Sequence, residues 1–188
     1  KNVGGITVMA MTLITTNTAA DASESAFTSS IDSTYKLYIF EMINISDGTN
    51  GAEFQFNVST DGGTNYNLSK TSTMWQTYRP EDDSTPEIQY RTPNDLANGT
   101  GDAIIAQDLG GESGGAYTDS SMSGTLWLFN PSNTTYVKHW YSITSRNAPA
   151  YHAVGYTHGY VNAASSDIDA IIFRPSTGTF DGKISMYG

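Results

Sequence analysis

Apolar residues at every second position constrain this chain more than any other feature. In Ala52-Glu-Phe-Gln-Phe-Asn-Val-Ser59, residues Ala52, Phe54, Phe56 and Val58 point one way and Glu53, Gln55, Asn57 and Ser59 the other. That is the signature of a strand with one buried face. The preceding segment, Tyr35-Lys-Leu-Tyr-Ile-Phe-Glu-Met-Ile-Asn-Ile45, is apolar on both faces for much of its length, as a central strand would be. Asp47-Gly-Thr-Asn-Gly51 separates the two and suggests a hairpin, and Asp61-Gly-Gly-Thr-Asn65 ends the second strand with another turn.

Similar strand signals cover residues 3–14, 25–28, 67–78, 87–90, 103–107, 122–129, 135–144, 154–161, 168–173 and 180–187. Turns such as Asn130-Pro-Ser-Asn133 and Pro175-Ser-Thr-Gly178 fall between them. No segment has a helical period, although residues 21–26 could hold one helical turn. Many short strands joined by frequent turns predict an all-β fold, a jelly-roll-like antiparallel β-sandwich. At 188 residues the chain suits one such core better than two. Residues 21–188 are expected to form the sandwich. Residues 1–20 are expected to be a strand or connection to an anchoring segment, because Lys1-Asn-Val-Gly-Gly-Ile-Thr-Val8 reads like the interior of a longer chain. The loops at 79–86 and 109–121 are the expected exposed tip.

Charge narrows the partners. A net charge of −10 with nine scattered Lys and Arg argues against a nucleic-acid face. No run of about 18 apolar residues is present, so no membrane insertion is expected. The absence of cysteine removes disulfide and thiolate chemistry. Of the three histidines, His139, His152 and His158, the first alternates in phase with Val137 and Tyr141 and the last with Tyr156 and Tyr160. No nucleophile elbow, zinc-binding helix motif or phosphate-cradling loop accompanies them, which points to strand histidines and leaves a hydrolase the weakest reading. The acidic loops near Asp47, Asp61, Asp83 and Asp167 hold oxygen ligands without calcium-loop spacing, and turn chemistry explains them. No metal or other cofactor is expected.

Aromatic residues are the informative excess, with three tryptophans, 12 tyrosines and seven phenylalanines. Trp127 and Phe129 share a strand face opposite Leu126 and Leu128, and Tyr136 and Trp140 are expected to share another. Such rings form a core, a subunit contact, or a platform on which sugars stack. Trp75, Trp127, Trp140 and Tyr136 are the candidate platform.

Several segments carry a family resemblance. They are Leu126-Trp-Leu-Phe-Asn-Pro-Ser-Asn-Thr-Thr-Tyr-Val-Lys-His-Trp-Tyr141, Gly159-Tyr-Val-Asn-Ala-Ala-Ser-Ser-Asp-Ile-Asp-Ala170 and the terminal Gly182-Lys-Ile-Ser-Met-Tyr-Gly188. Together with Ile31-Asp-Ser-Thr-Tyr-Lys36 and residues 47–59, they resemble structural or tail-fibre-like virion proteins of marine tailed bacteriophages. The resemblance runs from about Ile31 to Gly188. It implies a non-enzymatic β-sandwich displayed on the virion surface as a fibre, appendage or capsid-decoration domain. The partners it implies are other virion proteins, further copies in a homotrimer, and a host-surface glycan. A carbohydrate-binding module with exposed Trp and Tyr is the alternative.

Overall fold

The computed structural model describes residues 11–109, 120–148 and 150–188. The chain builds thirteen strands: β1 (Leu13–Ala22), β2 (Ser25–Phe27), β3 (Leu37–Asp47), β4 (Ala52–Ser59), β5 (Lys70–Pro80), β6 (Glu87–Tyr90), β7 (Leu96–Gly99), β8 (Ala103–Leu109), β9 (Met122–Phe129), β10 (Lys138–Ala148), β11 (Tyr151–Val161), β12 (Ala170–Pro175) and β13 (Phe180–Tyr187). Among the described residues the one helical element is a 3-10 turn at Thr92–Asn94. Every strand pairing is antiparallel.

Two sheets pack face to face as the expected all-β sandwich. The larger runs β1-β13-β3-β9-β10-β11-β5-β6, with β7 also on β5, and the smaller runs β2-β12-β4-β8. From β1 to β4 the chain changes sheet at every step. The insertions β5–β7 and β10–β11 both join the larger sheet and widen it beyond β9.

Alternation explains the core. Ala52, Phe54, Phe56 and Val58 of β4 are fully buried, facing Tyr38, Phe40 and Met42 of β3, Leu126 and Leu128 of β9, and Ile184 and Met186 of β13. Aromatic rings fill the middle. Phe173 lies 5.4 Å from Phe40, and Phe54 lies 5.1 Å edge-on to Phe180. Six of the seven phenylalanines are core residues, which accounts for much of the aromatic excess.

Several expectations change. Asp47-Gly-Thr-Asn-Gly51 is no hairpin: β3 pairs with β13 and β9, while β4 pairs with β12 and β8, so the turn carries the chain across the sandwich. The helical turn at 21–26 is replaced by the end of β1 and the start of β2. The strand expected at 3–14 falls largely on residues 1–10, outside the described residues, and the observed first strand is β1, paired along β13. The division placed at residue 20 therefore falls inside a strand of the sandwich. Residues 81–86 link β5 to β6, steadied by an Arg79–Asp83 ion pair. Most of the loop at 109–121 lies outside the described residues.

The acidic turns are built from their own side chains. Asp61 Oδ1 accepts the Ser59 hydroxyl at 2.6 Å and the Asn65 backbone N–H at 2.9 Å. These bonds hold its carboxyl down at about 2. Asp169 accepts the Gly62 N–H at 3.0 Å, tying that turn to the start of β12.

Candidate aromatic face

The pairing of β9, β10, β11 and β5 dictates what their outer surface presents. β10 and β11 pair through all eleven residues, from Lys138 opposite Val161 to Ala148 opposite Tyr151. Side chains alternate, so Leu126, Leu128, Trp140, Ser142 and Thr144 turn into the sandwich. Trp127, Phe129, His139, Tyr141 and Ile143 turn outward.

Register then lines the outward residues up in rows across the sheet. One row runs Ile39, Trp127, Tyr141, His158, Thr73. The next runs Glu41, Thr125, Ile143, Tyr156, Trp75, Tyr90. Cross-strand aromatic neighbours come within stacking reach. Trp75 stacks on Tyr156 with centroids 4.1 Å apart and planes 8° from parallel. Trp127 stacks on Tyr141 at 4.6 Å and 26°, and Phe129 meets the same tyrosine at 5.5 Å.

Between the two stacks lies an open groove of about 310 Å³, lined by Trp75, Tyr141, Ile143, Tyr156 and His158 among others. Its rim is wet: Tyr141 is 39% exposed, Ile143 36% and Tyr90 60%. Polar groups close one end, where the His158 Nε2 and Thr73 hydroxyl share a hydrogen bond of 3.0 Å. His152 shares one with Ser145 at the same distance, and His139 stands edge-on to Tyr160. The ion pairs among the described residues join arginines to aspartates, and no histidine takes part in them.

Charge is missing from the middle of this surface and returns at its margins, with Glu41 on β3 and Arg79 at the end of β5. The central outward positions are Ser123, Thr125, Trp127 and Phe129 on β9, and His139, Tyr141, Ile143 and Ser145 on β10. They continue with Val154, Tyr156, His158 and Tyr160 on β11, and Thr71, Thr73, Trp75 and Thr77 on β5. None is Asp, Glu, Lys or Arg, on a chain of net charge −10.

The four candidate platform residues separate. Trp75 and Trp127 both reach the outer face, each in its own stack. Trp140 is buried, 2% exposed, with its ring 4.6 Å edge-on to Phe56, so it is a core residue. Tyr136 is 71% exposed and precedes β10. With Phe129 and His139 it lines a second hollow of about 540 Å³ at the end of the face. Tyr136 and Trp140 therefore do not share a surface. The residues missing from the expected platform are Tyr141, Ile143, Tyr156 and Tyr90. Their signal was the alternation that sets Tyr141 in phase with His139, and Tyr156 with His158.

Fold and face define a class: an antiparallel β-sandwich with one broad aromatic sheet surface whose middle carries no charge. Comparison with protein-family models, with curated proteins and with solved structures finds no match to this chain.

Proposed function

We propose that this chain is a non-enzymatic structural domain of a bacteriophage virion, displayed on the particle surface and assembled through the outer face of its larger sheet. The observation that carries the assembly reading is an aromatic face with an uncharged middle on a strongly acidic chain. Copies of such a chain repel one another over most of their surface. Their approach costs least where no like charges meet, and apolar patches of this kind mark contact sites. The occupant is a second copy of the chain, within a homotrimer; docking onto other virion proteins would use the remaining surface.

The strand order supports a jelly roll at the centre of the domain. Setting aside β5–β7 and β10–β11, the sheets read β1-β13-β3-β9 and β2-β12-β4-β8. Successive strands of that set alternate between the sheets except at β4 and β8, which pair side by side in the smaller one, the wrapping of a double Greek key. Such domains are common building blocks of capsids.

Sedimentation equilibrium tests the assembly reading. The chain should associate, more strongly as salt screens its charge, and Trp127→Ser with Ile143→Ser should leave a folded monomer. A wild-type chain that stays monomeric at all salt concentrations would remove it. One observation favours a second reading, attachment to a neutral glycan. The groove beside Trp75 combines ring surfaces with Thr, Ser and His hydrogen-bonding groups, the mixture that sugars bind. Glycan-array binding lost in Trp75→Ala would favour that reading.

A further inference from the structure

Lys70 opens β5 in the larger sheet, Asn57 lies in β4 of the smaller, and their side chains meet inside the protein. Lys70 is fully buried and Asn57 is 1% exposed. The Lys70 Nζ donates to Asn57 Oδ1 at 2.6 Å and to the Leu68 carbonyl at 2.8 Å. Asn57 Oδ1 also accepts the Val58 backbone N–H at 2.9 Å. The carboxamide nitrogen donates to Asp102 Oδ1 at 2.8 Å and to the Thr100 carbonyl at 3.3 Å.

This is an unusual way to bury a lysine. A buried ammonium ordinarily takes a carboxylate partner. Here Arg174 takes the carboxylate instead, its Nε donating to Asp102 Oδ2 at 2.6 Å and its terminal nitrogen to Oδ1 at 3.0 Å. Lys70 takes no part in the ion pairs among the described residues and rests on a neutral amide. Burial pushes its ammonium down to about 8, with Asp102 pulling the other way, so the nucleophilic free amine is within reach near neutral pH. Amine, carboxamide and carboxylate thus stand in contact, in that order, the first two buried and the carboxylate 12% exposed. The Val58 N–H remains on the carbonyl oxygen as the amine attacks and polarises it, as donors do where charge develops on an oxygen.

We propose that Lys70 and Asn57 are joined by an isopeptide bond that the folded protein forms on itself. The Nζ lone pair attacks Cγ of Asn57 and a new N–C bond forms. One proton of the attacking nitrogen passes to the Asp102 carboxylate and from there to the carboxamide nitrogen. The bond from Cγ to that nitrogen then breaks and ammonia leaves. An amine and a primary amide become a secondary amide and ammonia, with no oxidant or cofactor. Holding the groups together inside the fold supplies the effective concentration that a free amine and amide lack. The product ties the two sheets together covalently between β4 and β5, a fastening suited to a displayed domain in a chain that has no cysteine. The proposal is independent of the assembly reading.

The intact mass of the purified full chain tests it. The wild type should be lighter than its sequence by one ammonia. Cleavage at Asp61 or Tyr66 should leave the segments containing Asn57 and Lys70 in one branched peptide. Lys70→Arg and Asp102→Asn should each restore the sequence mass. A wild-type chain of full sequence mass, with both segments recovered as separate linear peptides, would overturn the proposal without any variant. So would an ammonia loss confined to Asn50 or Asn98, each followed by glycine and able to cyclise on its own backbone.

Discussion

Trp75 of β5 and Tyr156 of β11 sit directly opposite one another with their rings 4.1 Å apart and within 8° of parallel. Each ring shields one side of the other, and together they form one wall of the groove. Such pairs are worth about 0.5–1.5 kcal/mol beyond the area they bury. A double-mutant cycle of Trp75→Ala and Tyr156→Ala, read by urea denaturation at one fixed protein concentration, should return a coupling energy in that range. Additive losses would mean that the rings merely lie side by side.

Trp127 and Trp140 differ in a second way that stability can read. Trp140 is closed in against Phe56, and truncating a core ring leaves a cavity that costs about 3–5 kcal/mol. Trp127 stands on the outer face, where Tyr141 covers one side of its ring. Trp140→Ala should therefore lower the denaturation midpoint far more than Trp127→Ala does. Self-association should respond in the opposite order, with Trp127→Ala weakening it more once the loss of folded protein is allowed for.

These contrasts show where local reading stops. The apolar face of β4 was legible, because Ala52, Phe54, Phe56 and Val58 all bury, but Asn57 and Ser59 on the opposite face are buried as well. Alternation also separated Trp127 from Leu128, but both faces of β9 are apolar, and only the position of the second sheet decides which is core. Tyr136 was paired with Trp140 by counting residues, yet the chain bends through residues 134–136 and β10 begins at Lys138, so parity is not carried across. Asp-Gly chemistry at residues 47–51 marks a turn equally well whether the chain returns to its own sheet or crosses to the other. β1 escaped notice because Leu13-Ile-Thr-Thr-Asn-Thr-Ala-Ala-Asp-Ala22 has no apolar alternation: its large apolar residues are adjacent at one end and the rest are small or polar. It is an edge strand in which Ala19 alone is buried. The meeting of Lys70 with Asn57 had no local signal at all, since residues 60–69 carry the chain from one sheet to the other.

Asp47 gives a pH prediction. Its Oδ1 accepts the Thr49 N–H at 2.9 Å, while Oδ2 is buried without a partner. Burial raises its pKa from 3.8 to about 6. The folded state thus favours the protonated form, and the associated stability is fully present below pH 3.8 and lost as pH rises through 6. Asp47→Asn imitates the neutral side chain. It should raise the melting temperature relative to wild type above pH 6, and the advantage should vanish below pH 4. An advantage that does not change with pH would remove Asp47 titration as the cause.

Gly159 and Gly155 lie four residues apart on β11, yet their tolerance of a methyl group should differ. A Cβ on Gly159 would stand 2.2 Å from the Thr71 carbonyl oxygen and 2.9 Å from Ser72 Cα, which are backbone atoms of the neighbouring strand β5. That backbone cannot yield without opening the ladder between β5 and β11. A Cβ on Gly155 would meet the Met74 methyl at 3.2 Å, a flexible side-chain end that can turn away, and the Thr144 hydroxyl at 3.0 Å, which needs to give by only a few tenths of an ångström while keeping its bond to the Ile105 carbonyl. Overpacking in a filled interior costs about 1–3 kcal/mol, and Gly159→Ala should reach the upper part of that range while Gly155→Ala stays near the lower. The same ladder aligns Trp75 with Tyr156. Gly159→Ala should therefore also change the near-ultraviolet circular dichroism of the stacked rings below the melting transition, and Gly155→Ala should leave that signal closer to wild type. Equal stability losses in the two variants would mean that the strands separate more easily than their full-length pairing implies.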